Sequence, residues 1–483
     1  MNSPFDDAKY QALLNGLTIS EVRFSGLEII SNRLDAEHYE HQYLLAEQKL
    51  LTANGKPLEI LTKDIKSFGA YSLCNQIEYQ ESGIPFLRCQ NIKDGLVDFA
   101  DVLFINQDAN KILWKSEVKP GMVLLTMSGT VGNAAAAMEH WEYPINSNQD
   151  VAKITTNERI DSFYLTVFLN SHFGKLQMSR LPIGSVQQHI FLWQLAKLII
   201  PVPSLDFQSF IKTCYLQAIS LREKAINFYR EAEELLLAEL GLTNWQPKHR
   251  LSFVKNYSDA QHAERLDAEY FQPKYEEIEK AIMSYAGGYS YIKDEFKQNK
   301  STFEADNKRI YQYVEIGSIN VSSGEITAED VEGSQLPDNA KRVLEKDDIV
   351  ISKVRTYRGA IAIVDKEGYV GSGAFTILRE NGRVNKETLL TFLHSKPLLT
   401  WSIKPNTGTS YPVIVDDDIL NLPIPLFDKD IQTRIQQKIT ESINLRKHSK
   451  HLLECAKRAV EIAIEQDEQA ALAWLERSAA LPR

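Results

Sequence analysis

The chain has 483 residues, 43% of them hydrophobic and 24% charged, with a formal net charge of -10. This balance excludes disordered, collagen-like and mucin-like classes, and the length implies two to four domains. The acidic total argues against a simple basic DNA-binding protein, but not against one whose cations are segregated on one face or supplemented by partner subunits. No apolar run approaches the ~18 residues of a membrane span, and the opening MNSPFDDAKY lacks the apolar core of a secretory signal. Cys74, Cys89, Cys214 and Cys455 lie far apart with no CxxC pair, so neither a disulfide framework nor a zinc knuckle is expected. A cytoplasmic protein fits.

The chain repeats itself. RLDAEHY at 33–39 returns as RLDAEYF at 265–271, each followed by helical spacing. FLRCQNI (86–92) then aligns with YVEIGSI (313–319), with Gly95 and Gly324 shortly after. KPGMVLLTMSGTVGNAAAA (119–137) aligns with KDDIVISKVRTYRGAIAIV (346–364), and NSNQDVAKI (146–154) with GSGAFTILR (371–379). LPIGSVQQHIFLWQLAKLIIPVP (181–203) aligns with KPNTGTSYPVIVDDDILNLPIPLF (404–427), and Gln208 with Gln432. So long a period is a whole domain in tandem, not a solenoid. Runs such as MVLLT, DIVIS, AIAIV and GAFTIL predict short strands in each copy.

Each copy exits through a Pro-punctuated segment into a long helix, at roughly 206–240 and 430–475. Asp206 is placed to cap the first and Gly241 to end it. Phe207, Ile211, Cys214, Ala218, Leu221, Ala225, Phe228, Ala232 and Leu235 form a heptad seam on it. Ile431, Ile435, Ile439, Ile443, Leu452, Leu453, Val460 and Ile464 line the second. Two such helices in matching places are expected to pair antiparallel.

No NPPY or DPPY tetrapeptide, phosphate loop, HExxH or GxSxG occurs, and Gly371-Ser372-Gly373 is only a fragment of a dinucleotide fingerprint. Asp64-Ile65-Lys66 reads as a surface charge pair. No catalytic residue, metal site or cofactor is expected.

The segments IPFLRCQNIKDG, GMVLLTMSGTVG, GSVQQHI and IIPVP…Q resemble the specificity subunits of type I restriction–modification systems, over nearly the whole chain. The resemblance implies an α+β fold: two tandem mixed α/β target-recognition domains in a pseudo-twofold arrangement, joined by two long helices forming an antiparallel coiled coil. The expected divisions are 1–205 for the first recognition domain and 206–245 for the central helix. The second domain is expected over 246–427, and the C-terminal helix and tail over 428–483. The implied function is non-catalytic: each domain reads half of a split double-stranded DNA target, and the helices dock two methyltransferase subunits, with a nuclease/translocase subunit joining the full complex. A stand-alone DNA-binding or regulatory protein of the same fold is the alternative.

Base reading needs donors and acceptors flanked by phosphate-holding groups. In the first copy the candidates are Arg88, Ser128, Thr130, Asn133, Lys175, Arg180, Ser185, Gln187 and Gln188. In the second they are Lys353, Arg355, Tyr357, Arg358, Lys404, Thr407, Thr409, Ser410 and Tyr411. Apolar positions off the seam should meet the recognition domains or another protein. Tyr229 and Leu236 are the expected methyltransferase contacts.

Overall fold

Val123–Thr126 is a run of four buried residues, the pattern of a strand covered on both faces. In the computed structural model it lies inside a four-stranded antiparallel sheet, in the order Thr62–Lys66, Val151–Thr156, Val123–Thr126, Ala134–Ala136. Residues 6–478 are described, apart from 16, 18, 24–26, 28–34, 69–76, 94, 182–188 and 408–410. The chain divides into two units, residues 1–222 with 446–483, and residues 223–445.

In the first unit a smaller sheet pairs Ile84–Leu87 antiparallel with Leu103–Ile105 and parallel with Asn146–Ser147. Gly55–Pro57 pairs with Ile199–Pro201. Helices Ser162–Asn170 and His172–Ser179 cover the main sheet. The first starts where the Asp161 carboxylate accepts from Phe163 N at 2.8 Å and Tyr164 N at 3.2 Å. Asp64 and Lys66 form an ion pair at 3.0 Å, as the sequence suggests.

The second unit repeats this plan. Its main sheet runs Phe296–Gln298, Phe375–Glu380, Ile349–Ser352, Ile361–Ile363. Ile310–Val314 again pairs parallel, here with Tyr369–Ser372, and Tyr289–Tyr291 pairs with Pro423–Pro425. The match extends to single hydrogen bonds. Gln208 Nε2 donates to the Pro203 carbonyl at 3.0 Å and to that of Arg159 at 3.4 Å, while its Oε1 accepts from Asp161 N at 2.8 Å. Gln432 does the same with Phe427 at 2.8 Å, Arg383 at 2.9 Å and Asn385 N at 3.0 Å. A buried glutamine ties each long helix's start to the loop before Ser162–Asn170 or Lys386–His394.

Strand pairing corrects the alignment of two segments. Val151 and Phe375 hold matching places, opposite Thr126 and Ser352, so 146–154 corresponds to 370–378. Val123 and Ile349 hold matching places, opposite Ile154 and Leu378. Ala134 and Ile361 also match, opposite Leu125 and Ile351. The second loop is therefore one residue longer, and Lys353 corresponds to Met127 rather than Thr126.

The first long helix runs Leu205–Glu239. Within the first unit its buried Phe207, Ile211, Cys214 and Ala218 share a core with Leu452, Leu453, Ala456 and Val460. Ser449 Oγ donates to the Ala218 carbonyl at 2.7 Å. Within the second unit Ser442 Oγ donates to the Ala225 carbonyl at 2.7 Å, and Lys438 pairs with Glu231. The partners of 225 and 231 fall at 442 and 438, so these segments run in opposite directions. Small Ala and Ser side chains let the backbones approach closely. The second long helix, Lys429–Glu465, is shorter than the expected 430–475. The Asp467 side chain accepts from Ala470 N at 2.8 Å and opens a separate helix, Glu468–Ser478. That helix returns to the first unit, where His451 Nε2 and the Ser478 carbonyl lie 2.7 Å apart.

Candidate nucleic-acid interface

The segments singled out by the repeat converge beside one end of each main sheet. In the first unit Met127 N donates to the Asp150 carbonyl at 2.8 Å, and Ile190 N to the Met127 carbonyl at 2.9 Å. Ser128 bridges to His189, and Cys89 Sγ donates to the Asp150 carbonyl at 3.3 Å. Burial pushes the Cys89 thiol up, and the nearby Asp150 carboxylate adds to this. Gly129 and Gly132 take φ of 68° and 84°, the left-handed turn for which glycine is suited. Gly129 and Thr130 are exposed at the tip, while Ser128 is buried. Asn133 Oδ1 accepts from Lys175 Nζ at 2.6 Å, so both candidates brace this loop. Arg88 lies beside it, its Nη2 donating to the Asp101 carbonyl at 3.2 Å. Ser185, Gln187 and Gln188 lie outside the described residues.

The second unit builds the same junction with different side chains. Lys353 N donates to the Ala374 carbonyl at 2.9 Å, and Ile414 N to the Lys353 carbonyl at 3.0 Å. Arg355 takes a left-handed φ of 51°, and its N donates to the Pro412 carbonyl at 2.8 Å. Its guanidinium stacks on the Tyr411 ring, 4.9 Å from the centroid. Lys353 Nζ lies 3.4 Å from Asp416. Burial would raise the Asp416 carboxyl, but the hydrogen bond from Thr376 and the Lys353 charge hold it below its ordinary value. Tyr357 is half-buried, whereas Arg358, Thr407 and Tyr411 are exposed. Thr409 and Ser410 lie outside the described residues.

Two expected phosphate grips are engaged within the fold. Arg180 pairs with Glu47 at 2.9 Å, and Lys404 with Glu279 at 2.5 Å, where Trp401 Nε1 also donates at 2.8 Å. These are matching bridges, one in each unit, from the third segment to the helix after the RLDAE element. Both cations are only 15% exposed. A cation held this way anchors the loop rather than presenting free charge. The expectation for Leu236 is also corrected. It is fully buried in the second unit's core, and Tyr229 Oη lies 2.8 Å from His394 Nδ1. Around Tyr229 and Leu236 the apolar face of the helix is taken up by the second unit's core.

Arg265 is not among the residues expected from the sequence to make contacts. Its guanidinium donates to the Pro405 and Asn406 carbonyls at 3.2 Å each and to Asp267 at 2.7 Å, fixing the base of the third loop. The repeat of RLDAE was the available signal. Arg33, its counterpart, lies outside the described residues.

Residues 284–454 match the family model of the type I restriction modification DNA specificity domain. A crystal structure of a type I restriction-modification system S subunit from M. genitalium is similar at 13% identity and a TM-score of 0.38, over 87% of this chain and 95% of that one. The HsdS subunit from Thermoanaerobacter tengcongensis is similar at 13% identity and a TM-score of 0.26, over 88% of this chain and 97% of that one. A comparison with curated proteins finds no match. No helix among the described residues is long and apolar enough to cross a membrane.

Proposed function

We propose that the chain is the non-catalytic specificity subunit of a type I-like restriction–modification complex and reads a split duplex target, one half with each unit. The observation that carries this reading is the repeated junction. Met127–Asp150 and Lys353–Ala374 make the same backbone bond, while the side chains around them differ. A constant framework with variable tips is what two readers of different sequences require. The tips are Thr130 in the first unit and Arg358, Thr407 and Tyr411 in the second. Arg355 and Lys353 add charge to the second, where an arginine fork suits guanine.

The long helices act as the spacer. The Ser–Ala contacts within each unit support antiparallel pairing of the two helices there. Methyltransferase subunits, two in number, dock on this assembly. Phe210, 37% exposed, and Ile226, 52% exposed, are the apolar helix positions best placed for them.

The test is Arg358→Ala in the full chain. Binding should weaken only toward the half-site read by the second unit. A base contact costs about 1–3 kcal/mol at one position, whereas a phosphate contact lowers affinity evenly and flattens the salt dependence. Unchanged affinity, sequence preference and salt slope would remove this loop from the interface.

A further inference from the structure

The turn between Asn146–Ser147 and Val151–Thr156 carries Asn148, Gln149 and Asp150, none of them among the expected contact residues. Its backbone belongs to the shared framework, since Met127 N meets the Asp150 carbonyl as Lys353 N meets that of Ala374. The second unit builds this turn from Ser372, Gly373 and Ala374. The fold therefore needs neither the two amides nor the carboxylate. All three side chains are half-buried, beside Cys89 and the Met127–Gly132 loop. Asp150 Oδ2 accepts from Asn148 Nδ2 at 3.3 Å and Gln149 Nε2 at 3.5 Å. Asp150 Oδ1 and Asn148 Oδ1 are enclosed and have no hydrogen-bond partner among the described residues.

Enclosed acceptors without donors are unfavourable, and an alanine would avoid that cost. Two such oxygens beside the loop suit a ligand that brings N–H donors. In the DNA major groove these are the exocyclic amines, N6 of adenine and N4 of cytosine. Guanine O6 and N7 and thymine O4 bring only acceptors and would face the carboxylate unfavourably. We infer that Asn148 and Asp150 select an amine-bearing base, adenine or cytosine, in the half-site of the first unit. Both oxygens are enclosed in this structure, so the contact requires the Asn148 and the Asp150 side chains each to rotate toward the base. This inference rests on the reading of the first unit as a DNA-reading domain.

The test selects duplexes from a randomised pool at low salt with the full chain and with its Asp150→Ala, Asp150→Asn and Asn148→Ser variants, each checked for folding by circular dichroism. Asp150→Asn keeps the side-chain shape should the alanine variant fail to fold. The unmodified chain should fix adenine or cytosine at one position of the half-site that Arg358→Ala leaves intact. The variants should lose about tenfold or more of that preference, with the other half-site unchanged. Folded variants that keep the preference, or binding by the unmodified chain that is unchanged when the exocyclic amine of the preferred pair is removed (purine for adenine, 2-pyrimidinone for cytosine), would overturn the inference alone. A pool with no enriched sequence from the unmodified chain would overturn the DNA reading itself, and the inference with it.

Discussion

Leu236→Asp unfolds the second unit instead of releasing a docked partner. Leu236 has no exposed surface and shares a core with Ala232, Ile278, Ile435 and Ile439. The substitution removes a buried leucine, worth about 2–5 kcal/mol as a cavity, and adds an unpaired carboxylate in an apolar site. The sum is a large share of the ~5–15 kcal/mol that holds a typical domain. Thermal melting followed by circular dichroism should show a drop of about 10 °C or more, or no folded second unit. Tyr229→Phe is the contrast. It loses the hydrogen bond to His394 and should cost only about 1 kcal/mol. A folded Leu236→Asp chain that had lost only a methyltransferase partner would return this position to the docking surface.

Removing seven residues from both long helices shortens the preferred gap between half-sites by about three base pairs. The first helix has 35 residues, about 52 Å at ~1.5 Å per residue. That exceeds one duplex turn of ~34 Å. Deleting from one helix alone would slide the Ala218–Ser449 and Ala225–Ser442 contacts out of register. Deleting residues 219–225 together with 443–449 lets Ala218 face Ser442 and removes about 10 Å. The bases read should not change. Affinity should fall, because about three base pairs turn the duplex by roughly 100° while a heptad turns a helix by only about 20°. Binding to a set of duplexes with graded gaps measures this. A preferred gap that stays the same would show that the helices are not the spacer.

The framework was legible because it repeats where chemistry constrains it. Gln208 and Gln432 aligned in sequence and make the same three hydrogen bonds. Buried runs such as Val123–Thr126 marked their strands directly. The loops were less legible, because equal sequence spacing hid an inserted residue between Ile351 and Ile361 that only strand pairing reveals. Charge misled at Arg180 and Lys404, since composition cannot tell a free cation from one paired with a glutamate more than 100 positions away. Apolar excess misled at Leu236, because a helix face that one partner helix cannot cover was covered by the same chain. The end of the second helix carried a signal that periodicity obscured: Asp467 is a good cap, and it opens a new helix.

The central claim is that one chain holds two readers at a fixed separation. Selection of duplexes from a randomised pool by the full chain together with its methyltransferase partner tests it most directly. The account predicts two short fixed blocks separated by a constant unspecified gap, with Arg358→Ala degrading one block only. A single continuous block, or two blocks at freely varying separation, would contradict it.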